Sequence, residues 1–500
     1  MALKPIILKG EQKKVLFLQV TEPIQIKGVA GSGKTTVALY RAKHLLDTQS
    51  NLFQEAKVAI FTYSKTLVKY INAITPHISG GYQPNSEEIN PKHPKGINVR
   101  IFNFDSWAFR FLNLAFDSEI GQLRQQILPI VIANYEPRHS NILKKNFEFF
   151  NEEISWIKGK LFNNKQEYID AIRTGRGTTD RVTKADKEVL WEIYIKYNQE
   201  LRNRGKVEYD DFARLVLEKI EKDENFIPPF SHIIIDEAQD LSKAQILVLS
   251  KLVSEETKSI SIIADAAQRI YKSGFTWSEV GLNVRGGRTI AFKKNYRNTK
   301  QIAFAAKSLL DNETDNEDFT EIEPVREGNQ KPIVGYFSNW DEQCKYILKE
   351  LKKLEQDGNI NSTVILHRNH NGIRNIKGIL EDDYKVQELL KISDIDFESD
   401  SIKICTLSSV KGLEFENVFI IDLNDNIIPY PAGFIDTDDE FHISTERRLL
   451  YTSMTRARER LYLLSSGNPT RYLSEIDESL LEKVGGKSSP KVVFDDDLPF

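Results

Sequence analysis

The feature that most constrains the fold is the segment GVAGSGKT at Gly28–Thr35. It follows the apolar segment PIQIKG and precedes the helical segment KTTVALYRAKHLL, the strand–loop–helix context of a phosphate-binding loop. The glycines let backbone N–H groups curl around phosphate oxygens, while the lysine offers positive charge and the threonine a hydroxyl for Mg²⁺. The residues predicted to hold the nucleotide here are Gly28, Gly31, Ser32, Gly33, Lys34, Thr35 and Thr36.

A second motif, HIIIDEAQD, supplies the acidic groups that such a loop needs. Its apolar segment predicts a buried strand that ends at Asp236 and Glu237. An acid at a strand end can hold the Mg²⁺ shell together with Thr35, and its neighbour can activate water. We therefore predict Asp236 as a metal ligand and Glu237 as the catalytic base.

Short apolar segments alternate with amphipathic segments along most of the chain, which predicts an α/β fold with parallel sheets. PIQIKG, KVAIFTYS, HIIIDEAQ and ISIIAD form one set of predicted strands. STVILHRN, IKICTLSS and NVFIIDLN form a second set, followed by a helix that runs into a strand in RRLLYTSMTRARERLYLLSS. Five hundred residues exceed one compact core, so we expect two α/β units.

Composition excludes several other classes of protein. The formal net charge of −4 gives no bulk attraction for nucleic acid, so any such binding needs a local groove. Cys344 and Cys405 lie far apart and lack metal-ligand spacing, which argues against a zinc site or a disulfide framework. The polar N-terminus and the lack of a long apolar segment predict a cytoplasmic protein without membrane partners.

Five further motifs occur in a fixed order with the first two: KGEQKKVL, ADAAQRIY, KKNYRNT, TLSSVKGLEF and ERRLLYTSMTRARERL. Over roughly residues 8 to 465, the ordered set resembles the UvrD/Rep-like superfamily 1 DNA helicases. The resemblance implies two RecA-like P-loop motor domains that use ATP and Mg²⁺. It also implies that Gln12 contacts adenine, Gln268 senses the γ-phosphate, Tyr296 stacks on adenine, Glu414 meets the ribose, and Arg297 and Arg456 are arginine fingers.

The predicted domain boundaries combine the strand pattern with this resemblance. The first RecA-like motor domain is expected at residues 1–112 and 205–295, and the second at residues 296–478. Residues 113–204 are charged and rich in Trp and Tyr without strand patterning, so we expect a helical insertion in the first domain. Residues 479–500, which include GGKSSPK and several acidic residues, are expected to be a flexible acidic tail.

Four departures from the family pattern are visible. Ala264-Asp265 stands where the family usually has Gly-Asp, and Ser408 stands where a His often precedes the KGLEF segment. Ser273 stands where the family often has a Trp that stacks on a base, and Trp277 follows slightly later. Only about 110 residues separate Arg297 from Lys411, which leaves no room for the large insertion that longer members carry in the second domain.

Two segments, FTYSKTLVKYI (Phe61–Ile71) and IFNFDSWAFRFL (Ile101–Leu112), are expected to line a single-strand track. Aromatic rings can stack on bases, and hydroxyls and lysines can contact phosphates. The predicted DNA-binding residues are Thr62, Tyr63, Phe104, Trp107 and Trp277. The alternative is that the aromatic residues of the two segments belong to the core. With no base-reading motif, binding should be sequence-independent and sensitive to salt.

These features predict an ATP-dependent helicase or translocase on single-stranded DNA and tailed duplexes, with 3′–5′ polarity implied only by the resemblance. A second hypothesis is a DNA-stimulated ATPase subunit of a repair or defence complex that needs a partner to unwind. A third, a non-enzymatic nucleic-acid-binding scaffold, is disfavoured by the complete set of hydrolytic residues. ATP turnover with and without single-stranded DNA separates these hypotheses.

The final segment FDDDLPF, Phe494–Phe500, resembles the C-terminal tip of bacterial single-stranded DNA-binding proteins. A terminal carboxylate and an aromatic ring suit a small pocket with a basic rim, so Phe500 is a candidate contact for a protein partner. Two alternatives remain open. The tail can fold back onto the protein's own DNA track and restrain it, or it can be a solvated acidic segment that improves solubility.

Overall fold

The computed structural model describes most of the chain. It describes residues 7–50, 56–63, 65–74, 99–135, 141–145, 147–171, 182–268, 275–313, 319–389, 399, 401–425, 427–429 and 440–486. Ser273 and the segment Phe494–Phe500 lie outside these residues, so the predictions about them remain predictions. None of the described helices is long and apolar enough to cross a bilayer.

The first domain is built on a parallel sheet in which six described strands lie in the order β3-β2-β4-β5-β1-β6. These strands are β1 (Ile24–Gly28), β2 (Val58–Thr62), β3 (Val99–Asn103), β4 (His232–Asp236), β5 (Ser259–Ala264) and β6 (Thr289–Phe292). Every residue of β2, β4 and β5 is buried, as expected for strands covered by helices on both faces. The carboxyl ends of these parallel strands share one edge, which is where α/β sheets bind ligands.

Helices of the first half of the chain cover this sheet and form a separate bundle. They are α1 (Lys34–Gln49), α2 (Lys65–Ile74), α3 (Phe104–Leu112), α4 (Leu123–Ala133), α5 (Phe147–Lys160), α6 (Lys165–Asp170), α7 (Lys184–Asn203), α8 (Phe212–Lys222) and α9 (Lys243–Leu252). The helices α4–α7 fall within the predicted helical insertion and share their own apolar core. Arg124 and Lys158 of this bundle both pair with buried Glu208. These ion pairs attach the bundle to the segment just before α8.

The second domain is built on another parallel sheet, with seven described strands in the order β11-β12-β10-β13-β14-β9-β15. A separate ribbon joins β7 (Lys294–Thr299) to β8 (Glu323–Arg326). The sheet strands are β9 (Ile333–Tyr336), β10 (Thr363–His367), β11 (Val386–Glu388), β12 (Ile402–Thr406), β13 (Phe415–Ile420), β14 (Ala457–Ser465) and β15 (Glu482–Gly485). Its helices are α10 (Lys300–Leu310), α11 (Trp340–Gln356), α12 (His370–Leu380), α13 (Glu440–Met454) and α14 (Arg471–Glu475).

The two parallel sheets confirm the predicted α/β fold with two RecA-like domains, and each strand predicted from an apolar segment is present. The predicted start of the tail at 479 is wrong. Residues Glu482–Gly485 form β15, which pairs in parallel with β9 at the edge of the second sheet. The segment is polar because an edge strand buries little side-chain surface, so it carries no apolar signal. Cys344 and Cys405 are buried and not bonded to each other.

Candidate active site and nucleic-acid groove

The phosphate-binding loop connects the end of β1 to the start of α1. Gly31 and Gly33 adopt left-handed backbone conformations, with φ of 74° and 80°. A Cβ on Gly33 would collide with the side-chain amide of Gln12, so this position needs glycine for both its conformation and its space. Gln12 accepts a hydrogen bond from the Lys9 N–H at 2.8 Å and donates one to the Ser32 carbonyl at 2.6 Å, which anchors it against the loop.

Lys34 is buried at the first position of α1 and is held by the loop itself. Its Nζ donates to the carbonyls of Gly28 and Val29 at 3.0 and 3.2 Å. It also pairs with Asp265 Oδ2 at 3.0 Å, immediately after β5. The sequence marks Asp265 only as part of the variant Ala-Asp motif, whereas the structure shows that it faces Lys34, the predicted phosphate-binding lysine. The positive charge of Lys34 is therefore balanced by a carboxylate of the same domain.

Thr35 and Asp236 meet as expected for a magnesium site. The Thr35 hydroxyl donates to Asp236 Oδ2 at 2.9 Å, and Asp236 is fully buried at the end of β4. Burial raises the pKa of Asp236, and the neighbouring Glu237 raises it further. A buried carboxylate with that penalty gains from a bound cation, and a hydroxyl beside a carboxylate provides the oxygen ligands that Mg²⁺ prefers. The donor set therefore fits Mg²⁺.

Glu237 follows with its backbone in the left-handed region, at φ of 54°. This conformation is costly for a residue other than glycine, and such strain concentrates at functional sites. Burial raises the pKa of Glu237, but Lys411, Lys34 and Arg456 outweigh burial, so the net pKa is lowered. Glu237 is thus held as a carboxylate, the form that a general base requires.

The second domain contributes the two predicted arginine fingers. Arg456 is fully buried, and its guanidinium donates to the Thr452 carbonyl at 2.9 Å and to Gln268 Oε1 at 3.2 Å. Arg297, on β7, pairs with Glu414. Burial and the neighbouring Arg297 lower the pKa of Arg456 to about 10, so its guanidinium stays protonated near neutral pH. The structure therefore brings Gln268, Arg297, Glu414 and Arg456 together across the interface between the domains.

Tyr296 lies against the phosphate-binding loop, and its contact with adenine stays a prediction. Its backbone N–H donates to the Gly31 carbonyl at 2.9 Å. A Cβ on Gly10 would collide with the Tyr296 hydroxyl, which places that ring beside the segment that carries Gln12. Thr36 is half-buried, like Tyr296, and follows Thr35 on α1.

Several buried polar atoms around this interface have no hydrogen-bond partner among the residues that the structure describes. They are Ser32 Oγ, Gln268 Nε2, Tyr296 Oη, Arg297 Nε and Tyr451 Oη. Unmade hydrogen bonds in an interior cost free energy, so such atoms are rare. Each of the five can donate, and a nucleoside triphosphate is rich in acceptor oxygens. The site therefore fits ATP.

A cavity of about 300 Å³ lies next to this site, between the two domains. Its walls come from the first predicted track segment, from the start of the second, and from the loop before β13. The lining residues are Thr62, Tyr63, Lys65, Leu67, Asn103, Asp105, Glu237, Asp240, Ser408, Ser409 and Lys411. The Thr62 hydroxyl is buried without a hydrogen-bond partner among the described residues. We refer to this cavity as the interdomain groove.

Lys411 joins the groove to the catalytic site, a role that the sequence patterns did not assign. Its Nζ pairs with Asp240 at 2.6 Å, donates to the Gln268 carbonyl at 2.8 Å, and lies 4.0 Å from Glu237 Oε2. The signal available in the sequence was its place in the KGLEF segment, where only Glu414 was assigned. Lys411 thus contacts Asp240 and Gln268 of the first domain while its side chain lines the interdomain groove.

Three predicted DNA-binding aromatic residues do not line the groove. Phe104 and Trp107 are buried in the core of the first domain, where Trp107 packs edge-on against Phe61. Trp277 is half-buried and packs edge-on against Phe275. The prediction that Phe104 and Trp107 stack on bases is therefore not supported, because their rings belong to the core. Of the predicted residues, Thr62 and Tyr63 line the groove.

Comparison with known proteins agrees with this arrangement. Residues 8–278 match the UvrD/REP helicase N-terminal domain, and residues 290–384 and 385–468 match the UvrD-like helicase C-terminal domain. A solved C-terminal domain of a possible DNA helicase from Lactobacillus plantarum WCFS1 matches 38% of this chain and 98% of its own at 21% identity. Its TM-score of 0.30 is too low to support a fold assignment.

Curated relatives include two proteins named ATP-dependent DNA helicase PcrA and one named ATP-dependent DNA helicase UvrD1. The PcrA of Leuconostoc citreum is 22% identical over 73% of this chain and 47% of its own length. The PcrA of Staphylococcus epidermidis is 24% identical over 70% and 46%. The UvrD1 of Mycobacterium leprae is 24% identical over 74% and 48%. The matched part of the chain thus spans about half the length of these relatives.

Proposed function

The chain belongs to the UvrD/REP helicase family, and from that premise we propose that it is an ATP-driven motor on single-stranded DNA, a helicase or translocase with 3′–5′ polarity. The observation that carries this proposal is the division of the hydrolytic groups between two domains. Lys34, Thr35 and Glu237 belong to the first domain, whereas Arg297 and Arg456 belong to the second. Hydrolysis then depends on how the domains close on each other.

Each group has a separate role in the hydrolytic step. Lys34 contacts the outer phosphates, Thr35 and Asp236 hold the cation, and Glu237 orients and deprotonates the attacking water. Mg²⁺ held by Thr35 and Asp236 would neutralise part of the negative charge of the phosphates. Arg297 and Arg456 stabilise the negative charge that develops on the transferred phosphoryl group. Gln268 bonds to Arg456 and so connects the phosphate site to the second domain.

The interdomain groove supports the coupling of this step to DNA. Its lining includes hydroxyls and two lysines that suit phosphates, together with three carboxylates. Two of its residues, Glu237 and Lys411, belong to or contact the proposed catalytic site. A DNA strand in the groove would contact both domains at once. Closure of the domains on ATP would therefore change the contacts that hold the DNA strand. Thr62 and Tyr63 are our candidate DNA contacts, and binding should not depend on sequence because phosphate contacts carry no sequence information.

The experiment that tests this proposal measures ATP turnover by the purified chain with and without single-stranded DNA, and strand displacement on duplexes with 3′ or 5′ single-stranded tails. We expect DNA to stimulate turnover and only the 3′-tailed duplex to be opened. DNA-independent turnover would contradict the motor assignment. Displacement from the 5′ tail alone would reverse the polarity.

A second candidate is an ATPase subunit that needs a protein partner to unwind DNA. One observation favours it: between Arg297 and Lys411, the described residues form only the ribbon, the second sheet and its helices. Strong DNA-stimulated turnover without displacement of any tailed duplex would support this candidate. The domain boundaries that we propose follow the sheets, with the second domain extended through β15.

A further inference from the structure

Tyr451 is a buried residue of α13 that the hydrolytic scheme above does not use. Its side chain has no solvent exposure, and its hydroxyl has no hydrogen-bond partner among the residues that the structure describes. Buried tyrosine hydroxyls usually find a partner, because an unpaired one loses its bonds to water without replacement. The hydroxyl of Tyr451 is therefore a donor available for a partner that arrives at the site.

The charged groups that act on this hydroxyl belong to the ATP site. They are Asp265 of the first domain and the two arginine fingers, Arg297 and Arg456. The helix α13 packs against the turn Ala266–Gln268 that directly follows Asp265. Burial raises the pKa of Tyr451 well above its ordinary range, and Asp265 raises it further while the arginines oppose. The hydroxyl therefore stays protonated and can donate to a carboxylate.

Asp265 has a specific need for such a donor. Its Oδ1 accepts from the Ala267 N–H at 3.1 Å, and its Oδ2 holds Lys34 at 3.0 Å. Lys34 must turn away from Asp265 to place its charge on the outer phosphates of a nucleotide. That movement would leave Oδ2 as a buried anionic oxygen without a partner, which is costly.

We propose that Tyr451 is a positioning residue whose hydroxyl donates to Asp265 Oδ2 when Lys34 moves to the nucleotide phosphates. The exchange releases Lys34 from Asp265 without leaving the carboxylate unpaired. Because Tyr451 lies on the second domain, the exchange also requires that domain to be docked on the first. The inference rests on the proposed function and adds to it the Tyr451 hydroxyl, which replaces Lys34 as the partner of Asp265.

The test is Tyr451→Phe, which removes only the hydroxyl. Binding of a fluorescent non-hydrolysable ATP analogue should weaken about tenfold, the lower end expected for losing a hydrogen bond to a charged group. The melting temperature of the nucleotide-free protein should not fall, because the hydroxyl is unpaired in that state. Unchanged analogue affinity would overturn the inference, and a lowered melting temperature would show that the hydroxyl is structural.

Two further variants separate this role from packing. Tyr472→Phe is the matched control, because the Tyr472 hydroxyl donates to the Ile443 carbonyl at 2.9 Å, away from the ATP site. It should lower the melting temperature and leave analogue affinity unchanged. In an Asp265→Asn background, Tyr451→Phe should cause less than a twofold further loss, since the carboxylate on which it acts is absent. Additive losses would contradict action through Asp265.

Lys34→Ala distinguishes failure of this inference from failure of the proposed function. If Lys34→Ala abolishes hydrolysis while Tyr451→Phe binds the analogue normally, only the role of Tyr451 is wrong. If Lys34→Ala hydrolyses ATP at the normal rate, the proposed ATP site itself is wrong, and the exchange fails with it.

Discussion

Lys34 and Glu237 allow the sharpest test at the scale of single residues, because they act on different atoms of the reaction. Lys34→Ala and Glu237→Gln should each lower ATP turnover by orders of magnitude, through loss of charge on the phosphates or of water activation. Glu237→Gln should still bind ATP, and we expect it to hold DNA more tightly. Steady-state turnover and nucleotide binding by fluorescence anisotropy measure the two effects.

The control for this pair is Lys43→Ala. Lys43 lies on the same helix as Lys34 but pairs with exposed Asp47 at the surface. Exposed ion pairs of this kind contribute little, so turnover and stability should both stay near normal. Turnover of Glu237→Gln close to that of the unmodified protein would exclude Glu237 as the base.

The two arginines should affect the rate more than the affinity. Arg297→Ala and Arg456→Ala should each reduce turnover by about 10³-fold or more, because an arginine finger acts on charge that develops in the transition state. The KM for ATP should change far less. Arg460→Ala, which removes a surface pair with Asp357, is the matched control. An increase in KM with normal turnover at saturation would reject the finger assignment for that residue.

At the scale of elements, α2 carries the most exposed cation of the interdomain groove, Lys65. If Lys65 contacts a phosphate, Lys65→Ala should weaken single-stranded DNA binding to a similar degree for all sequences. It should also reduce the slope of log K against log salt by about 0.7. Lys184→Ala, an exposed cation on α7 paired with Asp170, should leave the slope unchanged. Binding titrations from 50 to 200 mM salt make the comparison.

The start of α3 places a carboxyl group, Asp105, in the same groove. It faces Lys65 from α2, Asp210 from the turn before α8, and Gln245 of α9 at 3.5 Å, with Glu237, Asp240 and Lys411 across the groove. Burial and, to a smaller extent, Asp210 raise the pKa of Asp105 to about 7, against the opposing effects of Lys65 and Gln245. Folding therefore favours the protonated form of Asp105 relative to the unfolded chain.

The sign of the pH effect follows from that direction. An unfolded Asp has a pKa of about 3.9, so stability from the neutral carboxyl is full below pH ~4 and is lost as the pH rises towards 7. Asp105→Asn should thus be more stable than the unmodified protein at pH 8, with a smaller advantage at pH 5. Chemical unfolding at both pH values measures this difference.

Asp117 provides a control of opposite sign. A hydrogen bond from Lys206 lowers the pKa of Asp117, so its contribution is present at neutral pH and lost as the pH falls through its folded pKa. Asp117→Asn should therefore lower stability at pH 8, and the loss should shrink in acid. An Asp105→Asn advantage that grew towards acid would contradict the raised pKa.

At the scale of the whole molecule, the second domain carries the two proposed arginine fingers, Arg297 and Arg456. Its described residues form no large additional unit between Arg297 and Lys411. We therefore expect the isolated chain to translocate on single-stranded DNA better than it unwinds duplexes. Displacement of a streptavidin block from single-stranded DNA should be faster than displacement of a strand from a long tailed duplex. Robust unwinding of long duplexes by the monomer alone would contradict this expectation.

The sequence by itself determined the fold class and predicted which residues form the proposed ATP site. A phosphate loop can work only between a strand and a helix, and fully apolar strands can be satisfied only inside a covered parallel sheet. These are local requirements, so Lys34, Asp236 and Glu237 could be assigned from their own segments. The arginines could be assigned only because the ordered motifs resemble a family.

Only the tertiary structure decided what depends on contact between distant segments. Phe104 and Trp107 lie in the core because the start of α3 turns its rings onto β2, and a local aromatic pattern does not show which way a ring faces. The β15 strand needs only the exposed edge of β9, so its polar sequence gave no signal. Lys411 pairs with Asp240, and Tyr451 is influenced by the charge of Asp265. Both relations join residues far apart in sequence, and only the docking of the two domains brings them together.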